Sequence, residues 1–331
     1  MKMNLSMLLF MTSLITGTLI TISSSTWLMM WIGLEMNLMS FIPLMNSNKT
    51  PYESEASMKY FMVQAMASMM LLMSLILSEF IMFDKKMIYL IFLVSMFIKM
   101  GAAPFHMWFP GVMQGLSWFN CMLLMTWQKI APMVMTSYIL TTGMLSNMII
   151  LMSVIIGAVG GFNQTSIRKI MAYSSISHIG WMIMAMLMSS SYWMMCFMFY
   201  SVLSITVVIL MNNNSLFYLS QIFSMKMESS MKFSLFMTIL SLGGLPPFLG
   251  FMPKWMIIQN CIYFESKMLI IIMIMTTMIT LYFYLRMTYS AFTMNNQAVA
   301  WMNQNNNKSI IFMSLLISMM GIPMIVMINL Y

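Results

Sequence analysis

The stretch GAAPFHMWFP at residues 101–110 has a counterpart later in the chain, GLPPFLGFMP at residues 244–253. Both follow the pattern GxxPFxxxxP, and every matched position of the second stretch follows its counterpart at one constant offset, that from Gly101 to Gly244. Proline removes a helix hydrogen bond and clashes with the preceding turn. The pair of stretches therefore predicts two copies of one unit, each with a broken helix. Two ordinary proline kinks are the alternative.

The composition around these stretches is that of a membrane protein. Of the 331 residues, 61% are hydrophobic and 7% are charged, whereas a soluble domain carries about 25% charged residues. Because a helix needs about 20 apolar residues to cross a bilayer, the sequence predicts an all-α polytopic protein of about eleven spans. The predicted spans are 3–22, 26–45, 57–80, 87–103, 114–142, 146–163, 168–189, 191–212, 232–264, 268–291 and 309–330.

The two stretches fall in the fourth and ninth spans, so the direction of the chain reverses between them. We therefore expect inverted five-helix repeats within a single domain, residues 1–331, as in transporters that have broken helices at their binding sites. Repeat one is expected at about 3–142, repeat two at about 146–291, and a C-terminal helix at 309–330. Eight loop cations lie on the side of the N-terminus and three on the other, which places the N-terminus on the positive side and the C-terminus opposite.

Four charged residues lie deep in the apolar segments: Glu35, Lys99, Lys129 and Lys254. A charge at the centre of a bilayer costs about 2.5–3.5 kcal/mol on insertion scales, and such residues usually mark ion or proton paths. All three cations are lysines, which can release a proton when buried, whereas arginine retains its proton. The pattern favours proton transfer over the alternative, a buried ion pair that fixes helix packing.

The lysines differ in their relation to the breaks. Lys99 lies in the last turn before the first break, where the helix dipole favours a cation, and Lys254 opens the half-helix after the second break, where the dipole disfavours one. His178 follows Glu35 at the same offset that separates the two stretches. It is either a proton relay or a partner for hydroxyl groups in a serine-rich helix, and the sequence leaves these two roles equally open.

Other classes of function lack their sequence motifs. The chain contains no P-loop, GxGxxG, CxxC or HExxH pattern, so no redox cofactor and no nucleotide site are expected in it. The net charge of +8 is spread over short loops without a basic tract, and no nucleic-acid partner is expected. Many mitochondrial genetic codes read an isoleucine codon as methionine, so the 55 methionines indicate an organelle-encoded, invertebrate protein.

Five segments together resemble one family, the antiporter-like subunits of the membrane arm of respiratory complex I, the NADH:ubiquinone oxidoreductase. The segments are WIGLEMN at 31–37, KMGAAPFHMW at 99–108, WQKIAP at 127–132, NQTSIRKIMAYSS at 163–175 and LPPFLGFMPKW at 245–255. The family usually has fourteen helices in two inverted five-helix repeats, and animal members of this kind lack the first three helices. The resemblance covers nearly the whole chain, and its departures are short loops and many methionines in place of leucine and isoleucine.

The resemblance implies a proton-translocating subunit of complex I in the mitochondrial inner membrane, with the N-terminus in the matrix and the C-terminus in the intermembrane space. The proton-path residues of the family fall on Glu35, Lys99, Lys129 and Lys254 of this sequence. NADH, FMN, iron–sulfur clusters and ubiquinone would belong to other parts of the complex. The expected partners are neighbouring antiporter-like and small membrane subunits and lipids such as cardiolipin.

Two other functions remain open at this point. A stand-alone cation/proton antiporter would use the same broken helices, although the missing N-terminal helices and the organelle coding argue against it. A purely structural membrane subunit would tolerate apolar residues in place of the four buried charges.

Overall fold

The computed structural model describes residues 5–47, 49–79, 84–224, 229–261, 267–293, 308–321 and 323. Within these ranges the chain forms fifteen helices and no β-strand, which confirms the all-α prediction. An isolated antiparallel bridge joins Ser166 and Tyr218. The helices form two compact units, Met1–Thr141 and Thr142–Tyr331, and the boundary falls where the first repeat is predicted to end.

The described part of unit 1 contains seven helices. They are α1 (Leu5–Ser23), α2 (Trp27–Met45), α3 (Pro51–Glu79), α4 (Lys85–Met100), α5 (Trp108–Gly115), α6 (Trp118–Met125) and α7 (Trp127–Ile139). Helix α1 packs along α2, α3 packs against α4 and α5, and α4 packs against α7. The predicted span 114–142 is two helices, because the chain departs from the helical path at Thr126 between α6 and α7.

Unit 2 contains eight helices among its described residues. They are α8 (Met144–Phe162), α9 (Ile167–Met188), α10 (Ser190–Asn213), α11 (Leu219–Ser224), α12 (Ser229–Gly243), α13 (Phe251–Cys261), α14 (Lys267–Thr293) and α15 (Lys308–Met319). Helix α8 packs along α9, α10 packs against α12 and α13, and α12 packs against α14. The predicted last span, 309–330, is helical over α15, and most of its remainder lies outside the described residues.

Among the described residues, seven helices are long and apolar enough to cross a membrane: α1, α2, α3, α8, α9, α10 and α14. Large apolar side chains face outward along them, as at Leu5 and Met66, which are 89% and 69% exposed. Such a surface is stable in lipid rather than in water, so the prediction of a polytopic membrane protein is confirmed. Each of the eleven predicted spans contains a helix in the described ranges, but the count of eleven crossings stays a prediction.

The two units share an order of elements. Helix α4 ends at Met100 and α12 at Gly243, whereas α5 begins at Trp108 and α13 at Phe251. Each of these pairs is separated by the same offset as Gly101 and Gly244. In each unit the helix before the break packs against a helix that follows it in the chain: α4 packs against α7 in unit 1, and α12 packs against α14 in unit 2. The offset found in the sequence is therefore also the offset between corresponding helix ends.

Close helix packing in unit 1 depends on small residues. A Cβ atom added to Gly33 of α2 would lie 2.6 Å from the Thr21 side chain and 2.8 Å from the carbonyl oxygen of Gly17, both on α1. Between helices in lipid, where hydrophobic attraction is weak, small residues permit this close approach and the van der Waals contact that follows.

Candidate functional site

The first helix break is a glycine-based helix end. Gly101 adopts φ = 72°, which the absence of a Cβ atom permits. Its N–H donates to the carbonyl of Ile98 at 3.1 Å, and the N–H of Ala102 donates to that of Phe97 at 3.0 Å. This pair of bonds is the Schellman motif, which ends a helix while satisfying carbonyls of its last turn.

Two side chains from neighbouring segments complete this helix end. The Gln64 side-chain amide of α3 donates to the carbonyl of Lys99 at 3.3 Å, and the Trp108 indole N–H donates to the carbonyl of Ile98 at 3.2 Å. A break at membrane depth is stable when protein groups satisfy the exposed carbonyls. Gln64 therefore connects α3 directly to the residue that carries the buried charge.

Lys99 and Lys129 line one cavity in unit 1. The cavity leaves about 20 Å³ for the centres of water molecules, enough for at least one water. Its other polar lining residues are Asn37, Tyr60, Gln64 and Gln128. Both lysine side chains are buried, with 7% of Lys99 and 2% of Lys129 exposed. The structure therefore brings two of the predicted proton-path residues to a shared polar space.

A short chain of hydrogen bonds crosses the wall of this cavity. The Tyr60 hydroxyl donates to the side-chain oxygen of Gln128 at 3.4 Å, and the Gln128 amide donates to the side-chain oxygen of Asn37 at 3.2 Å. These bonds join α3, α7 and α2, and they place a phenol, two amides and two ammonium groups around one small volume. Such an arrangement can orient water between the lysines.

Lys129 lies in the first turn of α7, three residues after the irregular Thr126. Its Nζ atom lies 5.2 Å from the centroid of the Phe109 ring, and the face of the ring attracts a cation at that range. Pro132 has no N–H, so it offers no donor to the carbonyl of Gln128 one turn earlier. The face of the Phe109 ring therefore adds negative potential near the ammonium group.

Glu35 lies half-buried on α2. Its carboxylate is close enough to interact electrostatically with Lys99 and Tyr60, but no nitrogen–oxygen distance of 4.0 Å or less joins it to Lys99. One carboxylate oxygen, Oε1, is buried and accepts no hydrogen bond from the part of the chain that the structure describes. Glu35 and Lys99 therefore attract each other across a gap, unlike a tight structural ion pair.

The second break, in unit 2, places a lysine at the helix end itself. Gly244 adopts φ = 81°, and the Nζ atom of Lys254 donates to the carbonyl of Gly243 at 2.6 Å. From the sequence, we expect the dipole of α13 to disfavour this cation, because the backbone of Lys254 lies in the first turn of that helix. The side chain instead reaches back to the C-terminal end of α12, where the dipole and the last carbonyl stabilise an ammonium group.

His178 of α9 lies beside Lys254. Both residues line two small cavities in unit 2, which leave about 10 and 20 Å³ for the centres of water molecules. The His178 ring also lies 5.0 Å from the ring of Tyr200, centroid to centroid. These contacts support the relay role among the two that the sequence left open, while the role itself stays a prediction.

Several polar residues of these sites were not singled out from the sequence. Tyr60 and Gln64 are four residues apart in an apolar stretch, so they share a face of α3, and that spacing was the available signal. Tyr200 and Tyr284 are 4% and 1% exposed and line the unit 2 cavities. A single tyrosine in an apolar helix gives no comparable signal.

Comparison with known proteins identifies the family. Residues 24–280 match the family described as NADH:quinone oxidoreductase/Mrp antiporter, TM. The chain is 49% identical to NADH-ubiquinone oxidoreductase chain 2 of Anopheles gambiae, over 97% of this chain and 96% of that relative. The chain belongs to the NADH-ubiquinone oxidoreductase chain 2 family. Its identity to the Locusta migratoria member is 45%, over 95% of this chain and 94% of the relative.

Solved structures share the fold of this chain 2 family member at low sequence identity. A chain of respiratory complex I from Thermus thermophilus superposes with a TM-score of 0.82 at 20% identity, over 96% of this chain and 78% of that chain. A chain of the Mrp complex from Dietzia sp. DQ12-45-1b gives a TM-score of 0.76 at 15% identity, over 89% and 62%. The antiporter-like fold is therefore common to all three chains.

Proposed function

We propose that this chain is a core membrane-arm subunit of respiratory complex I and carries proton translocation coupled to electron transfer from NADH to ubiquinone. Membership of the chain 2 family and the membrane-spanning helices support a multi-pass protein of the mitochondrial inner membrane. The observation that carries the proton role is the cavity of unit 1, where Lys99 and Lys129 line the same water-sized space.

In the proposed mechanism the buried charges change protonation in sequence. The Glu35 carboxylate attracts the ammonium group of Lys99 across the gap between them. When that attraction weakens, Lys99 releases its proton through the cavity toward Lys129, with water oriented by Tyr60 and Gln128 carrying the proton. In unit 2, Lys254 receives and releases a proton beside His178, and its ammonium form is stabilised by the carbonyl of Gly243.

The finer architecture is part of the proposal. Eleven spans in two inverted repeats, within one domain, are supported by the shared order of helices and by the equal offset of the two broken helices. The loop cations favour an N-terminus in the matrix and a C-terminus in the intermembrane space. The chain would use no cofactor of its own, since NADH, FMN, the iron–sulfur clusters and ubiquinone would act in other subunits. Neighbouring antiporter-like and small membrane subunits and lipids such as cardiolipin are the proposed partners.

The test is a lysine substitution in assembled complex I. Lys129→Met keeps the length of the side chain and removes the ammonium group, and Lys59→Met is the matched control because Lys59 is an exposed lysine of the same unit, paired with Glu55. Proton uptake per NADH oxidised is measured in inner-membrane vesicles, with the amount of assembled complex measured on native gels. We expect Lys129→Met to lose pumping and Lys59→Met to retain it.

Two results would contradict the proposed function and favour one of the alternatives. Normal pumping by Lys129→Met, and by Glu35→Gln and Lys254→Met, would indicate the purely structural subunit. Cation exchange by the chain in vesicles that lack the rest of the complex would indicate a stand-alone antiporter.

A further inference from the structure

Two cavities of unit 2 meet at a shared wall. One lies toward α14 and is lined by Thr277, Thr280 and Tyr284, and we call it the α14-side cavity. The other lies toward α10 and is lined by Cys196, Tyr200 and Leu203, and we call it the α10-side cavity. Three residues line both cavities: His178, Trp181 and Lys254.

We propose that His178, Trp181 and Lys254 form a partition between two hydrated compartments, and that Tyr284 and Tyr200 are the hydroxyl groups that exchange protons with the partition, one on each side. The proposal rests on the proton-translocating function proposed above and assigns it an order of groups within unit 2. Protons would pass in series, through one cavity, across His178 and Lys254, and through the other cavity.

Both cavities contain polar groups that can bind water: Lys254 and His178 line each, with Tyr284 on the α14 side and Tyr200 on the α10 side. The α10-side cavity is otherwise lined mostly by apolar groups. Each cavity leaves room for the centre of at least about one water molecule. The indole N–H of Trp181 is buried and donates to no group in the described part of the chain, and ordered water can satisfy a buried donor of this kind. The Tyr284 hydroxyl is likewise buried without a well-formed hydrogen bond among the described residues.

The serines next to the tyrosines do not provide a second route. The Tyr284 hydroxyl lies beside Ser174 and the Tyr200 hydroxyl beside Ser175. Each serine hydroxyl already donates to a backbone carbonyl, that of Met171 at 2.8 Å or that of Ala172 at 2.7 Å. A carbonyl oxygen accepts a hydrogen bond but has no proton to pass on, so a proton chain through the serines stops at the backbone.

The partition has groups that can carry the transfer. Lys254 holds its Nζ atom at the carbonyl of Gly243, and the His178 ring lies next to the ring of Tyr200. In one transfer an N–H bond of the Lys254 ammonium breaks and an N–H bond of the His178 imidazole forms, through a water between them. At each tyrosine an O–H bond to the incoming proton forms as the existing O–H bond breaks, so the hydroxyl stays neutral. The titratable residues that line the two cavities are Lys254, His178, Tyr200, Tyr284 and Cys196, so no carboxylate among the described lining residues captures the proton.

The experiment removes one hydroxyl at a time from assembled complex I in inner-membrane vesicles. The variants are Tyr284→Phe, Tyr200→Phe and the double variant, and the control is Tyr282→Phe. Tyr282 lies on the same helix as Tyr284, is 53% exposed and stacks on Phe162 at 5.1 Å, a contact that phenylalanine preserves. Proton-coupled NADH oxidation is compared in H₂O and D₂O, and the assembled amount is measured on native gels.

If the two tyrosines act in successive proton-transfer steps, the single and double variants should differ in a specific way. Each single variant should slow coupled turnover by about tenfold or more, as the loss of a positioned acid–base group does, and the solvent isotope effect should rise. The double variant should stay within about twofold of the slower single variant, because the delays add rather than multiply. The control should turn over normally.

Other outcomes overturn the partition. Single variants that pump normally, or a double variant whose loss is the product of the single losses, would exclude two steps in series. If Lys129→Met abolishes pumping while the tyrosine variants pump normally, the partition fails and the proposed function stands. If Lys129→Met also pumps normally, the proposed function itself fails.

Discussion

Gly244 offers a direct test of whether the end of α12 holds the Lys254 ammonium group. In Gly244→Ala the added Cβ atom would lie 2.9 Å from the Nζ atom of Lys254 and 3.1 Å from the carbonyl oxygen of Gly250. The flexible lysine head is the group that yields. The substitution therefore pushes the ammonium group away from the carbonyl of Gly243, to which it now donates at 2.6 Å.

Two costs follow from the structure. A residue with a Cβ atom at φ = 81° loses about 1–2 kcal/mol in the left-handed region. Losing a hydrogen bond of a charged group costs about 1.5–3 kcal/mol more, which lowers the population of the bound ammonium group by about 10- to 150-fold. If Lys254 must occupy this position once in each cycle, coupled turnover falls by up to that factor.

Two glycine variants separate these costs. Gly101→Ala has a similar backbone cost at φ = 72°, but its Cβ atom would meet Phe109 and Trp108 rather than a lysine. Gly111→Ala lies in helix α5, and its Cβ atom would meet nothing within 4 Å. Each variant is assembled into complex I, and thermal inactivation and protons pumped per NADH are measured.

We expect Gly101→Ala and Gly244→Ala to lower thermal stability, and Gly244→Ala to lose more of its pumping at matched amounts of complex. Gly111→Ala should behave as wild type. Equal pumping by Gly244→Ala and Gly111→Ala would refute the reasoning, because it would show that the contact between Lys254 and Gly243 is not used during turnover.

Two further predictions concern unit 1. Gln64→Leu removes the donor to the Lys99 carbonyl and should cost about 1–3 kcal/mol for the unsatisfied buried group, measured as earlier thermal inactivation of the complex. Gln64→Glu should restore much of the loss at a pH where its carboxyl is protonated, because a protonated carboxyl donates a hydrogen bond. Gly33→Ala places a Cβ atom 2.6 Å from the Thr21 side chain and 2.8 Å from the carbonyl oxygen of Gly17, so overpacking of about 1–3 kcal/mol should reduce the yield of assembled complex on native gels; an unchanged yield would show that α1 and α2 separate without cost.

The sequence predicts the broken helices well because the cause of each break is local. A glycine that can adopt positive φ and prolines that cannot continue a helix act within a few residues, and both breaks occur where the pattern places them. Length and hydropathy likewise locate the helices, because crossing lipid sets a minimum apolar length.

The cavities were beyond sequence reasoning because they depend on contacts distant in the chain. The bond between Tyr60 and Gln128 joins residues 68 positions apart, and the bond between Gln128 and Asn37 joins residues 91 apart. The sequence also does not predict the position of the Lys254 ammonium group, because a lysine side chain is long enough to reach a different helix end from the one that carries its backbone. Sequence gives the residue that bears the charge, and the packing of helices decides where that charge lies.

The two units stabilise their buried lysines by different means, and this difference bears on coupling. Lys99 has a carboxylate nearby, Glu35, whose charge changes if Glu35 takes up a proton. Lys254 has a backbone carbonyl at a helix end, and that partner cannot be neutralised. Protonation of Glu35 therefore suffices to change the charge balance at Lys99, whereas the hydrogen bond that holds the Lys254 ammonium group breaks only when that group moves away from α12 or loses its proton. In the proposed mechanism, a change of charge therefore acts more readily on Lys99, through Glu35, than on Lys254, whose ammonium group is held by the carbonyl of Gly243.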